Sequence, residues 1–373
     1  MMEAVMANTE FGVNHSLTNK LFSKQLANEA IRQTYIGRFI GKGKDALIQE
    51  HVDLKKGAGD KITYGLRVQL QGDGVQGDST LEGNEEALQF YNDSIVVNQL
   101  RHAVRINGKL TEQRVPYPLR TEAKDGLRDW WADRMDVSFF NHICGNTVQT
   151  DTRFTGNNTV TAPTSNRKIL AGTGNSNDED LGSSDTFTLE LLDYAREKAE
   201  TASTAESTGS VIRPIRMMGD DYYVAFLHDY QVTDLRTGTG TGQWQDIQKA
   251  AMQGGDVGKN PIFTGALGVY NGIILHKAKR VTQGVNSSSG AAIDTVRRAV
   301  LCGAQSAAIA FGGSSNASKY DWNEEMFDYG NQFGVEAGSI FGIKKNRFSP
   351  ESGSANVEDF GSIVISTYAS AHA

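Results

Sequence analysis

From Gly65 onward apolar and polar residues alternate, with Leu66, Val68 and Leu70 separated by polar neighbours. A run of glycines and acids, GDGVQGDSTLEGNEE, follows from Gly72 to Glu86; Ile95, Val96 and Val97 then open a second β-like run ending near Ile106. Period-two alternation on both sides of a glycine-punctuated tip predicts a long two-stranded arm. A ribbon of that kind is marginal in water by itself. The pattern therefore implies a surface for the arm to lie on, the simplest being a neighbouring subunit.

Helical spacing appears on either side of the arm. Leu17, Leu21, Leu26, Ile31 and Tyr35 recur at three- to five-residue steps, predicting an amphipathic helix over Leu17 to Ile36 that ends at Gly37. The glycine-rich basic segment from Arg38 to Lys61 then reads as an arm leaving the body of the protein. Beyond Pro116 and Pro118, the residues Leu119, Leu127, Trp131, Met135, Phe139 and Ile143 fall mostly at i, i+4 spacing, and Gly145 stops the run. A helix from Arg120 to Cys144 would be about 37 Å long at 1.5 Å per residue, long enough to act as the spine of a domain. The pair Trp130 and Trp131 reads as core packing rather than a stacking platform for a ligand.

The segment Asn146 to Ser184 is polar, and its NSNDEDLGSSD cluster lacks the ordered ligand spacing of a calcium loop. It reads as a solvated surface loop. A helix over Thr186 to Ala202, a strand near Ile212 to Met218 and a helix near Asp220 to His228 follow. Gly238, Gly240 and Gly242 precede a helix expected over Trp244 to Met252, and without Gly-Lys-Ser/Thr they suit a flexible loop better than a phosphate cradle. The remainder supplies short β-branched and aromatic runs, with an acidic patch of Asp321, Glu324, Glu325 and Asp328 between two of them.

Composition narrows the function. With 373 residues and a formal charge of −7, any contact with nucleic acid would need a local basic face. Cys144 and Cys302, the two cysteines, sit in apolar or helical contexts that suit buried thiols. The N-terminus lacks the pattern of a signal peptide and no apolar run reaches about 20 residues, so a cytosolic site of synthesis is expected, without membrane contact. Among the seven histidines none forms a zinc motif. The densest ligand-like group, His228 and Asp229 with Asp220 and Asp221, has no defined catalytic geometry. No enzyme, metal or cofactor is expected.

Four long segments then carry a resemblance: LFSKQLANEAIRQTYIGRFIGKG, GDKITYGLRVQLQGDGVQGDSTLEGNEE, NPIFTGALGVYNGIILH and YGNQFGVEAGSIFGIKKNRF. In these the chain resembles major capsid proteins of tailed bacteriophages, in the subgroup named after coliphage N-four. The resemblance implies an α+β fold of the Hong Kong 97 type, with an N-terminal arm at 1–56 and an extended β loop at 57–108. A peripheral domain with the spine helix and a polar insertion would cover 109–206, and an axial domain 207–316. The strands of 317–373 would return to the peripheral domain. Also implied are hexamers and pentamers of the chain in an icosahedral shell, a portal protein and packaged double-stranded DNA. No long helical N-terminal extension is present, so a separate scaffolding protein, or none, is expected; a decoration protein is a further candidate. Residues Gln69 to Asn98 contain no lysine, which removes lysine crosslinking at the loop tip. The expected location is the virion capsid, reached by assembly in the host cytoplasm. The alternatives are a nanocompartment shell of the same fold and, from another class, a glycine-loop nucleotide-binding enzyme.

Candidate contacts between subunits follow from charge and burial. Asp73, Asp78, Glu82, Glu85, Glu86 and Asp93 form an acidic stretch, and Arg101, Arg105, Arg120 and Lys124 are basic partners near the spine. Leu17, Leu21, Leu26 and Ile31 give the N-terminal helix an apolar face that needs cover. DNA contact is expected to be weak and independent of sequence, with Arg38 to Lys61 as one contributor.

Overall fold

A computed structural model describes residues 30, 34–52, 59–67, 74–78, 80–83, 85, 90–116, 118–201, 211–217, 219–237, 266–313, 319–348 and 357–372. Its axis is a 25-residue helix, Leu119–Ile143, entered at Pro118 and left through Cys144 into Gly145. Proline suits a helix entrance because it has no N–H to leave unpaired. At the exit Gly145 has φ +68°, and a Cβ there would lie 2.8 Å from the Thr161 carbonyl oxygen, so only glycine fits. The helix buries Ala123, Leu127, Trp131, Met135, Phe139 and Ile143 along one stripe. The expected spine is present within one residue at each end.

Among the described residues, two main sheets flank this helix. The first runs in the order Ile40–Gly41, Ile48–His51, Ala307–Gly312, Gln332–Lys345, Asp321–Phe327, with Asn98–Ile106 also on Gln332–Lys345. Trp131 seats the helix on it, donating from Nε1 to the Ala337 carbonyl at 3.3 Å and packing edge-on against Tyr320 and Phe341. The second sheet runs Lys168–Leu170, Ser362–Tyr368, Ala292–Cys302, Asp220–Leu227, Ile273–Lys277, Ala266–Tyr270. Phe226 of this sheet meets Phe139 and Phe140 of the helix. One apolar core thus includes residues of the helix and of both sheets. The helix Leu189–Thr201 covers the other face of the second sheet through Leu192, Ala195 and Ala199.

Several sequence expectations are corrected. Asp220–Leu227, expected as a helix, is a strand between Ile273–Lys277 and Ala292–Cys302; the helix comes next, at Asp229–Thr237. Tyr223, Val224, Ala225, Phe226 and Leu227 are all buried. A strand covered on both faces loses its alternation and resembles a short helix in sequence. The basic segment after Gly37 does not leave the body over 38–52. Tyr35–Phe39 forms a 3-10 turn running through Gly37, and Ile48–His51 pairs in parallel with Ala307–Ala310. Ile36, Phe39, Leu47 and Ile48 are buried, an apolar skeleton that outweighs the scattered lysines. The acidic patch, expected between two strands, lies largely on one, since Asp321–Phe327 is itself a strand. The last strand, Ser362–Tyr368, lies in the second sheet between Lys168–Leu170 and Ala292–Cys302. Its residues through Thr367 are buried, which suits an interior position there. Of the N-terminal helix, Leu17, Leu21, Leu26 and Ile31 lie outside the described residues, as do Gly238, Gly240, Gly242 and Trp244 to Met252.

Candidate assembly surface

The two-stranded arm is present, and its returning strand leaves it earlier than the alternation suggests. Lys61–Arg67 pairs antiparallel with Phe90–Val96. The returning run then breaks at buried Val97, and Asn98–Ile106 leaves the hairpin to pair with Phe333–Phe341. Asn158 marks the break. Its side chain accepts from Val96 N–H at 2.9 Å and donates to Val96 C=O at 2.8 Å, standing in for a third strand.

The base of the arm rests on its own subunit. Ile62, Tyr64, Leu66 and Ile95 pack against Ala308, Ala310, Phe348 and Phe360. Tyr64 donates its hydroxyl proton to Asn346 Oδ1 at 2.5 Å. A ribbon needs an apolar support, and here the same chain supplies it for the described base. The tip is different: Asp78, Glu82 and Glu85 are exposed, and Leu81 beside them is 61% exposed. Gly83 N–H donates to Glu85 Oε2 at 2.7 Å, so the tip is tied to itself. Asp73 and Glu86 lie outside the described residues.

The other expected charges divide into two groups. Asp93 is committed inside the chain: its carboxylate pairs with Lys344 and accepts from Arg347 N–H. Arg120 is likewise committed, donating from Nη2 to both oxygens of Glu324 at 2.7 and 2.8 Å. Glu324 is 1% exposed and also accepts from Trp322 Nε1, so Arg120 neutralises a buried carboxylate. Arg101 and Arg105 remain available. Leu100 and Val104 pack on the core, so Arg101 and Arg105 face outward from the same strand. Arg101 is 62% exposed with only a loose contact to Glu336 at 3.5 Å, and Arg105 lies over the Phe327 ring. Lys124 is half-buried on the helix, on the other side of the sheet. The four basic residues therefore do not make one patch.

The polar insertion holds a charge cluster that its composition hides. Asp178, in the loop expected to be solvated, is fully buried. It pairs with Lys168 at 2.9 Å and with Arg298 at 2.6 Å, and accepts from Val285 N–H at 3.1 Å. Burial pushes the Asp178 carboxyl up, but Arg298 and Lys168 outweigh that and hold it below its ordinary range. Arg298 also donates to the Gly145 carbonyl at 2.6 Å, closing the end of the long helix with a positive charge. The available signal was Arg297-Arg298 inside an apolar strand, since a buried arginine requires a carboxylate. The remaining acids of this loop have local tasks: Asp180 and Asp185 accept backbone N–H groups, and Glu179 accepts from Ser287.

The histidine group does not assemble. Asp221 pairs with Arg216 at one end of its strand, and Asp229 pairs with Lys277 past the other end. Among the described residues no group of three His, Cys, Asp or Glu side chains is placed to hold a metal. Both cysteines are buried free thiols, and burial pushes both up.

A rigid helix between two sheets, a supported hairpin with a charged tip and an outward arginine pair define a subunit that builds by its surfaces. The comparisons agree with that class. The chain belongs to the phage capsid protein family, whose model matches residues 10–371. It is 30% identical to the major capsid protein of Pseudomonas phage KPP25, over 95% of this chain and 96% of that one. The capsid protein of Ralstonia phage GP4 superposes with a TM-score of 0.78 at 32% identity, covering 98% of this chain and 100% of that one. The capsid of cyanophage Pam1 shares the fold alone, with TM-score 0.65 at 21% identity over 92% and 94% of the two chains. The fold is the mixed helix-and-strand capsid fold of the Hong Kong 97 type, and the protein is a structural component of a phage capsid shell.

Proposed function

We propose that this chain closes as hexamers and pentamers into an icosahedral shell around double-stranded DNA, as a member of the coliphage N-four-like subgroup. The observation that carries this reading is the end-to-end match to the capsid protein of Ralstonia phage GP4. Assembly takes place in the host cytoplasm, with a portal protein, a separate scaffolding protein and, in the finished head, a decoration protein as partners. The chain performs no catalysis. Its organisation follows an N-terminal arm at 1–56, an extended loop at 57–108, a peripheral domain at 109–206, an axial domain at 207–316 and closing strands at 317–373.

The acidic tip with Asp78, Glu82 and Glu85 reaches a neighbour, and the outward Arg101 and Arg105 are its best-placed basic partners. Both sets are exposed, and the pair of Arg101 with Glu336 at 3.5 Å is a long one. Repeated around a closed lattice, weak pairs of this kind set register. The apolar face of Leu17, Leu21, Leu26 and Ile31 is covered in the shell. DNA is held through phosphates, without base preference.

Electron microscopy of the purified protein, with nucleic-acid content measured on the same particles, tests the reading. Closed icosahedral particles are expected, and DNA in those recovered from infected cells. Particles that hold protein cargo and no genome would favour a nanocompartment. DNA binding that resists salt would oppose phosphate-only contact.

A further inference from the structure

We propose that the corner where the turn 328–331 meets the start of the short helix Lys109–Arg114 is a contact between copies of this chain, anchored by Tyr329. Tyr329 is fully exposed, at 109% of its reference area. It also sits in the left-handed region at φ 52°, next to Asp328 at φ 50°. That conformation is a genuine outlier for a bulky side chain, and such strain is kept where the surroundings enforce it.

The enforcement is visible. Asn331 N–H donates to the Asp328 carbonyl at 2.9 Å, and Asn331 Nδ2 to the Asp328 carboxylate at 3.2 Å. Asn331 Oδ1 accepts from Lys109 N–H at 3.4 Å, and Gln332 Nε2 donates to Asn107 Oδ1 at 3.1 Å. A Cβ on Gly108 would come within 3.3 Å of Asn331 Nδ2. Two separate turns are thus joined into one stiff corner that presents the ring outward. Met326, on the strand that leads into the turn, and Leu110, on the short helix, are exposed by 49% and 59% and add apolar surface to these elements. A pre-ordered aromatic loses little freedom on docking, which suits an anchor.

Charge selects the occupant. Arg105, Lys109 and Arg114 are exposed on the elements that meet at this corner, and so are Glu112, Glu325 and Asp328. No ion pair joins these six among the described residues. A nucleic acid or an anionic surface would call for excess positive charge. A balanced patch is complementary to itself and closes around a rotation axis shared by identical chains. The proposal rests on the shell-forming role and adds to it the residues that meet.

Two variants test it, against wild-type protein that forms shells in the same preparation. Tyr329→Gly removes the ring and relieves the left-handed backbone. Its subunit should keep or raise its Tm, while shell yield falls at least tenfold. Normal shell yield would overturn the proposal. The second variant places photoreactive benzoylphenylalanine at position 329. Irradiated shells should yield covalent dimers of this chain, absent when dissociated subunits are irradiated. Adducts to another virion protein, or no adduct, would overturn the assignment to a second copy. Absence of wild-type shells would instead count against the assembly role itself.

Discussion

Removing either side of the Asp178–Arg298 pair should destabilise the subunit far more than its place in a polar loop suggests. The side chains are 0% and 4% exposed. Breaking a buried pair from one side costs about 3–5 kcal/mol, because the partner's charge stays buried. Arg298→Ala leaves Asp178 with Lys168 as its cation, which places this variant near the lower end, about 3 kcal/mol. It also removes the cation at the end of the long helix, roughly 0.3–1 kcal/mol more. Asp178→Ala leaves Arg298 against neutral carbonyls, and a loss of about 4 kcal/mol is expected. The double variant should cost less than the sum of the singles, since neither Asp178 nor Arg298 is left buried without the other; Lys168, 17% exposed, is the one charge of the cluster that stays. Urea unfolding of the unassembled subunits, monitored by tryptophan fluorescence, measures all four corners of the cycle. Either single variant costing under about 1 kcal/mol, or additive singles, would refute the reasoning.

Acid should weaken the fold through His142 and His228, both lowered to about 4 by burial. Between about 6.5 and 4 the unfolded chain binds more protons at these sites, so stability falls as pH falls. Asp136, raised to about 6 by burial, opposes them by taking up a proton in the folded state. A pH series on His142→Gln should show a flatter acid limb than wild type; an unchanged limb would contradict the assignment. Changing Glu82, Glu85 and Glu86 together to lysine should block or misdirect shell formation while circular dichroism of the subunit stays unchanged, and normal shells would reject the contact. Deleting residues 1–29 should leave a folded subunit that assembles poorly. Extending the deletion to Gly43 should unfold it, because Ile36 and Phe39 are lost from the core at about 1.5–3 kcal/mol each.

What could be read from sequence follows the physics of each element. The long helix was legible because Leu127, Trp131, Met135, Phe139 and Ile143 keep a four-residue spacing and proline and glycine bracket it. The hairpin was legible in its alternation, but the break at Val97 was not, since the strand after it keeps the same period while changing partner. Asp220–Leu227 was misread because burial on both faces erases periodicity. At the candidate surface, exposure of the acidic tip followed from its glycines and charges. The division of Arg101 and Arg105 from Arg120, and of Asp93 from the tip acids, depends on partners more than 200 residues away in sequence. No local pattern contains that information. The same holds for Asp178, whose burial is decided by Arg298.

The strand Gln332–Lys345 has a mechanical consequence. On one side it is laced to Asn98–Ile106 from Phe333 to Phe341; on the other it holds Asp321–Phe327 and Ala307–Gly312 in succession. The first of these neighbours continues from the hairpin, and the strand itself lies under Trp131 of the long helix. A tug on the hairpin along the strand axis therefore strains the whole ladder in shear, with every rung sharing the load. A pull across the sheet at either end would open rungs one after another. The subunit is stiff along one in-plane direction and yields along the other, so a shell stretched from within should give first where neighbouring subunits pull across this ladder.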